Sequence, residues 1–214
     1  MVTCNIRTYP LGFIQTNCYI ISNAKKECLI FDPGGNGEQL VKELKRLNLK
    51  PIAILLTHAH FDHIGAVDDV REVFSIPVYI HPSEKSWLTD PGKNGSAKYA
   101  EIPNITAKEA EFYLGKEEKT SIGDFEFFIS HTPGHSPGSL TFYFETDGFA
   151  IVGDTLFQNS VGRTDLPGGN EKQLLHSIHT KLLTLPEATV IYPGHGPAST
   201  IHDEMNSNPF LNGF

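Results

Sequence analysis

Three histidines and an aspartate crowd into six consecutive positions, His58-Ala59-His60-Phe61-Asp62-His63. Little other than a metal site uses such a density of ligand-type side chains. The apolar run Ile52 to Leu56, opened by Pro51, reads as a buried strand leading into the cluster. Ile64-Gly65-Ala66-Val67 leads out of it into a helix-like stretch. The cluster is therefore expected on a strand-to-helix turn. His58 and His60, two apart in an extended segment, point to the same side. Asp62 and His63 open the next element and aim at a neighbouring point. That arrangement predicts two adjacent divalent metal ions, and with them hydrolysis.

A chain of 214 residues is long enough for a full core and is expected as one domain, 1–214, with 82–120 as an insertion or lid. Its net charge is −8, and no Lys/Arg run exceeds Lys25-Lys26, which argues against a nucleic-acid partner. No apolar stretch approaches the ~20 residues of a membrane span. The N-terminus shows no basic segment followed by an apolar core, so a cytoplasmic protein without membrane contact is expected. Cys4, Cys18 and Cys28 are odd in number and lack CxxC spacing. They read as free thiols in a reducing compartment.

Along the chain, strands are expected at Thr3–Tyr9, Asn17–Ser22 and Glu27–Phe31, followed by the turn Asp32-Pro33-Gly34-Gly35. Apolar residues at 40, 41, 44 and 47 predict a helix over Gln39–Leu47. Another helix fits Ala66–Phe74, and a strand fits Pro77–His81. Residues 82–120 are the least regular, with Trp87, Tyr99, Phe112 and Tyr113 among Pro, Gly, Lys and Glu. Those aromatics could roof a pocket, although a satellite core is the commoner use. Strands resume at Phe125–Ser130, Leu140–Glu145, Phe149–Val152 and Val190–Tyr192, with helices over Glu171–Leu183 and Ile201–Ser207. Strand runs followed by helices in both halves predict an α/β fold, an αββα sandwich of two mixed sheets flanked by helices.

Four of these strands end in a small, Gly- or Pro-containing turn that presents a His or Asp. Ile-Leu-Leu-Thr leads to His58, and Ile-Ser-His-Thr-Pro-Gly to His135; Ile-Val-Gly leads to Asp154, and Ile-Tyr-Pro-Gly to His195. Loops on a rigid scaffold are where sites are built. Imidazole and carboxylate donors suit zinc, iron or manganese better than a thiolate-seeking ion.

This constellation resembles the metallo-β-lactamase superfamily. The strings Thr132-Pro-Gly-His-Ser-Pro-Gly-Ser139, Gly153-Asp-Thr-Leu-Phe157, Gly162-Arg-Thr-Asp165 and Pro193-Gly-His-Gly196 resemble its glyoxalase II branch, above all the short bacterial members. The resemblance spans nearly the whole chain. It implies one metal held by His58, His60 and His135, and a second by Asp62, His63 and His195. Asp154 would bridge the two, with Asp62 and Asp154 serving the chemistry. Two such ions, zinc first among the candidates, would activate a shared hydroxide for attack on a carbonyl carbon. A thioester suits that attack, because a thiol of pKa roughly 8.5 needs little protonation to leave. The expected activity is hydrolysis of an S-acyl thiol such as S-lactoylglutathione. Glyoxalase II enzymes of full length hold glutathione with basic residues of a C-terminal helical domain, whereas here 19 residues follow His195. The thiol is thus left open. A persulfide dioxygenase using a single iron is the alternative, and a metal-binding protein without turnover a further one. A β-lactamase fits less well, since no export signal is visible.

The resemblance implies a carboxylate behind the ligands after the Glu27–Phe31 strand, which would be Asp32; the other reading makes Asp32 simply a turn residue. Arg163 reads either as an anion contact for substrate or, with a slight preference, as the salt-bridge partner of Asp165. His131 reads as a local hydrogen-bonding residue. His81, His176, His179 and His202 read as ordinary surface or helix histidines.

Overall fold

In the computed structural model, residues 4–211 are described, so the expected start of the first strand at Thr3 falls outside them. Strands β1 (Asn5–Leu11), β2 (Thr16–Ser22) and β3 (Glu27–Phe31) form an antiparallel meander. Helix α1 (Gly37–Arg46) then returns the chain, so that β4 (Lys50–Leu55) joins β3 in parallel. After α2 (Phe61–Ile64) and α3 (Val67–Phe74), β5 (Val78–Ile80) and β6 (Phe112–Tyr113) extend the sheet in parallel. The first sheet therefore runs in chain order from β1 to β6.

The second sheet begins with β7 (Lys119–Ile122), β8 (Phe125–His131), β9 (Leu140–Phe144) and β10 (Phe149–Gly153), all antiparallel. A small hairpin follows, β11 (Leu156–Phe157) with β12 (Ser160–Val161). Helix α4 (Glu171–Ser177) widens into a π-helical turn over Ile178–Leu182, where a continuous helix to Leu183 was expected. The chain then enters β13 (Val190–Pro193) parallel to β10, the edge strand β14 (Ser199–Thr200) and helix α5 (Ile201–Ser207). Both sheets are mixed and helices cover both outer faces, as the pattern of strands and helices predicts.

Period-two alternation explains the layering. Tyr19, Ile21, Leu29, Phe31 and Leu55 point inward to meet Phe125, Phe127, Phe142 and Phe144 of the other sheet. Edge-to-face contacts such as Phe31–Phe142, with ring centroids 5.2 Å apart, interlock the two faces. The intervening Cys18, Ile20, Cys28 and Ile30 face outward onto Leu40, Val41 and Leu44 of α1 and Val67 and Val70 of α3. On the far side, Ala150, Val152 and Ile191 meet Leu174, Ile178, Leu182 and Ile201. All three cysteines are free. Asn170 and Thr200 cap α4 and α5 by accepting from the backbone N–H groups of Gln173 and Asp203.

The segment 82–120 is tied into this frame. Trp87, Leu88, Ala107 and Ala110 join the outer core of the first sheet. Asn94 holds the loop by donating to Trp87 O and Ile105 O, and its own carbonyl accepts from Phe61 N. The same stretch supplies edge strand β6 and opens β7. Among the described residues, no helix is long and apolar enough to cross a membrane.

Candidate metal centre

Strands β8, β10 and β13 all point the same way, because β8 and β10 both lie antiparallel to β9 and β13 is parallel to β10. Their C-terminal ends, with that of β4 from the other sheet, meet at one edge of the sandwich. His58 and His60 follow β4, His135 follows β8, Asp154 follows β10 and His195 follows β13. Helix α2 starts immediately after His60 and brings Asp62 and His63 to the same point.

Two groups of donor atoms result. His135 Nε2 lies 3.2 Å from His58 Nε2 and 2.9 Å from His60 Nδ1. Asp62 Oδ2 lies 3.3 Å from His63 Nε2 and 3.2 Å from His195 Nε2. Asp154 faces both groups: Oδ1 is 3.5 Å from His63 Nε2, and Oδ2 is 3.6 Å from both His135 Nε2 and His195 Nε2. Ligands at two corners of a tetrahedron, with bonds of about 2.0–2.1 Å, stand roughly 3.3 Å apart. The observed separations match that spacing. The sets His58–His60–His135 and Asp62–His63–His195 could each hold one ion, and they take in six of the seven expected ligands; the seventh, Asp154, groups with His58 and His63 between them. His63 Nε2 and Asp154 Oδ1 are buried and make no hydrogen bond. Buried polar atoms rarely stay unpaired without a purpose such as ion binding, so the donors fit a pair of metals.

The residues behind the ligands set their tautomers. His135 Nδ1 donates to Arg163 O at 2.8 Å, which leaves the Nε2 lone pair facing the centre. His58 Nδ1 lies 3.1 Å from Thr57 Oγ1, which in turn donates to Asp32 Oδ2 at 2.7 Å. Asp32 also accepts from Thr57 N and stands 3.0 Å from His63 Nδ1. It therefore supports an imidazole in each group, from a left-handed backbone (φ 48°) that Asp tolerates. Thr16 Oγ1 donates to Asp62 Oδ2 at 2.7 Å. Glu84, fully buried, accepts from Ala59 N at 2.5 Å, Ser136 Oγ at 2.5 Å and Gly138 N at 2.7 Å. Gly194 is required by contact: a Cβ there would fall 2.0 Å from Asp154 Oδ1 and 2.8 Å from His63 Cε1. Thr16, Thr57 and Glu84 are supports that the sequence reading missed. Each acts on chain 25 or more residues away, a contact that no local pattern displays.

Charge is divided sharply. Burial drives the His58 imidazole well below its ordinary range, and the surrounding histidines add to the effect. Burial takes His60 down to about 3 and lowers His135 as well, so all three are neutral donors at neutral pH. His63 is buried too, but Asp62, Asp32 and Asp154 around it outweigh burial and hold its pKa up. Asp62 and Asp154 stay ionised despite burial, through His63 and His195. Three carboxylates around one buried imidazole call for positive charge where the second donor group converges.

Above the donors lies a cavity of about 520 Å³ whose walls are mostly apolar. Arg163 lines it, but its guanidinium is held by Asp165 through two hydrogen bonds of 2.7 Å, as the favoured reading has it. His131 donates locally to Pro137 O at 2.9 Å. His81 departs from the surface role expected of it: it is buried, accepts from Ser83 N, and stacks on His131 with ring centroids 4.1 Å apart. The apolar alternation of β5 carries it inward. His176 and His202 are exposed and His179 half-buried, and none of them belongs to a donor group.

The sequence profile of the metallo-beta-lactamase superfamily matches residues 11–195. The chain is 51% identical over 208 residues to a probable metallo-hydrolase, YqgX, of Bacillus subtilis (strain 168), covering 97% of this chain and 98% of that one. It is 37% identical over 209 residues to the hydroxyacylglutathione hydrolase GloC of Haemophilus influenzae, covering 97% and 98% respectively. Among solved structures, that of BLEG-1, described as a B3 metallo-beta-lactamase, superposes with a TM-score of 0.95 at 55% identity, over 98% of this chain and all of that one.

Proposed function

The chain belongs to the metallo-beta-lactamase superfamily, and from that premise we propose that it is a two-metal hydrolase that cleaves S-acyl thiols. The observation that carries the reading is the pair of three-donor groups facing one carboxylate, Asp154, on the floor of an apolar cavity. The similarity to GloC supports a thioester as the substrate class.

Bound at these donors, two divalent ions supply Lewis acidity and a hydroxide at neutral pH. His58, His60 and His135 offer neutral nitrogens without first losing protons. Asp62 and Asp154 supply the negative charge that would keep the second position loaded, with His63 and His195 as its nitrogen donors. The apolar walls exclude bulk water and leave the acyl carbon facing the donors. Water's oxygen joins that carbon, the carbon–sulfur bond breaks, and the sulfur departs as a thiolate that then takes up a proton. No separate general acid is needed for so stable a leaving group.

Lactam hydrolysis is the second reading, favoured by the likeness to BLEG-1. It uses the same attack but leaves an amide nitrogen that must be protonated. Metal analysis of the purified protein followed by rates on thioesters, a lactam and a persulfide separates the readings. We expect about two divalent ions per chain and thioester turnover. Lactam opening without thioester turnover would replace the first reading with the second. A single iron with oxygen uptake on the persulfide would make the protein a dioxygenase.

A further inference from the structure

We propose that Trp87 is a positioning residue for the donor His60: its indole face receives the Nε2–H of that imidazole and so fixes the tautomer that turns the Nδ1 lone pair towards the first donor group. The inference rests on the reading that His58, His60 and His135 hold an ion, and it gives the segment 82–120 a part in that centre.

A neutral imidazole carries one N–H and one lone pair, so one nitrogen can bind a metal only if the proton is kept on the other. The partner that keeps it there is usually an oxygen. In this centre Nδ1 of His135, His63 and His58 stands 2.8, 3.0 and 3.1 Å from an oxygen of Arg163, Asp32 and Thr57 respectively. His60 is arranged the other way round. Its Nδ1 joins the donor group, 2.9 Å from His135 Nε2. Its Nε2 is buried and has no hydrogen-bond partner. The two nitrogens of an imidazole point away from each other, so Nε2 is turned from the centre. Among the described residues, three rings lie against His60. His58 and His135, with centroids at 4.8 and 4.7 Å, belong to the donor group itself. The third is Trp87, at 5.6 Å and inclined by 48°. A buried N–H with no oxygen in reach takes the face of an aromatic ring as its acceptor.

The segment that carries Trp87 grips this turn at three consecutive residues. Glu84 Oε2 accepts from Ala59 N at 2.5 Å, Trp87 packs on the ring of His60, and Asn94 O accepts from Phe61 N at 3.0 Å. Trp87 is itself fixed: its N–H donates to Glu84 O at 2.9 Å, and its carbonyl accepts from Asn94 Nδ2 at 3.2 Å. The indole is buried, and beyond its Cη2 lies Gly168, where a Cβ would stand 3.6 Å away. Backbone on one side and imidazole on the other leave the indole in one place. Leucine at this position would fill space without a π face, whereas phenylalanine keeps one.

The test uses the full chain loaded with zinc, its histidines isotope-labelled. Long-range proton–nitrogen correlation spectra identify the protonated and the zinc-bound nitrogen of each imidazole. We expect His60 to be protonated at Nε2, with that proton upfield of the ring N–H protons of His58 and His135 because it lies over an aromatic face. In Trp87→Leu the upfield displacement should vanish. Zinc affinity of this group should fall about tenfold by chelator competition, the lower end of what loss of a ligand's partner costs. Trp87→Phe should stay within about threefold of the parent, since a ring face remains. Trp87 is the one tryptophan of the chain, so its emission should change in one of the two zinc-binding steps and stay flat in the other. A His60 protonated at Nδ1, or an Nε2–H signal unmoved in Trp87→Leu, overturns the proposal and leaves the two-metal reading standing. Equal losses of affinity in the two variants would make Trp87 a packing residue only, and emission that follows neither step would separate it from the first group. Absence of zinc-bound nitrogens in His58, His60 and His135 alike ends the metal reading itself.

Discussion

At the residue scale, Asp154 is the side chain on which both donor groups depend. Its oxygens lie 3.5–3.6 Å from His63, His135 and His195, which belong to both sets. Asp154→Asn keeps the size but removes the charge. The variant should lose at least one metal per chain, with kcat/KM down on the order of 100-fold or more. Metal analysis together with initial rates decides it, and unchanged activity would defeat the two-metal reading. Glu84 acts one layer further out. Its carboxylate grips the loop of His58 and His60 at Ala59 N and the loop after His135 at Ser136 and Gly138, so it sets the spacing of three ligands it never touches. Gly138 permits that grip, since a Cβ there would stand 2.8 Å from Glu84 Cγ. Glu84→Gln turns one acceptor into a donor facing donors. Metal affinity at the first group should fall about 10–100-fold, measured by chelator competition, with the far-UV spectrum preserved. Equal weakening at both groups would mean that Glu84 supports the fold and not this set of ligands.

At the element scale, what was legible in the sequence followed periodicity. Helix α5 and strand β3 appear with the expected ends because each has one strong pattern and a clear stop: Thr200 caps the helix, and Asp32-Pro33 ends the strand. The seven candidate donors were legible as a group because each follows an apolar strand or opens the helix after one. The two-residue strands β6, β11, β12 and β14 were not, since two residues carry no period and exist only through their partners. Glu84 and Thr57 escaped for the same reason, their roles being fixed by contacts with distant chain. The stacked pair His81 and His131 is a further case: it joins the end of β5 in one sheet to the end of β8 in the other. Burial, with His131 adding to it, pushes His81 down to about 4. An unfolded His titrates near 6.5, so between these values the unfolded chain binds the extra proton. Stability should therefore rise with pH from about 4 to 6.5 on this account and be lost on acidification. Melting temperatures across that window should vary less steeply in His81→Gln than in the parent. A parallel shift of the two curves would show that His81 does not contribute the slope.

At the scale of the whole molecule, the metal centre sits on the edge of a fold with its own sources of stability. The interior between the sheets is closed by Phe31, Phe125, Phe127, Phe142 and Phe144, and each outer face is sealed by its own helices. None of these contacts passes through a ligand atom. Small domains whose core is built around a metal unfold without it; this chain should not. Chelation should abolish turnover while the far-UV spectrum at 25 °C stays that of the folded protein. Stability should nevertheless fall, because an ion binds the folded state alone and Asp32, Asp62 and Asp154 are left crowding one another around His63. An ion present at a thousand times its dissociation constant contributes about 4 kcal/mol. At 2–4 °C per kcal/mol for a chain of this length, that is a drop of roughly 8–16 °C in melting temperature for each tightly held ion. Calorimetry before and after chelation, with zinc, iron or manganese added back one equivalent at a time, measures it. Two successive upward steps would count two ions. Collapse of the spectrum on chelation at 25 °C would instead make the metals part of the core, contrary to the layering of the two sheets.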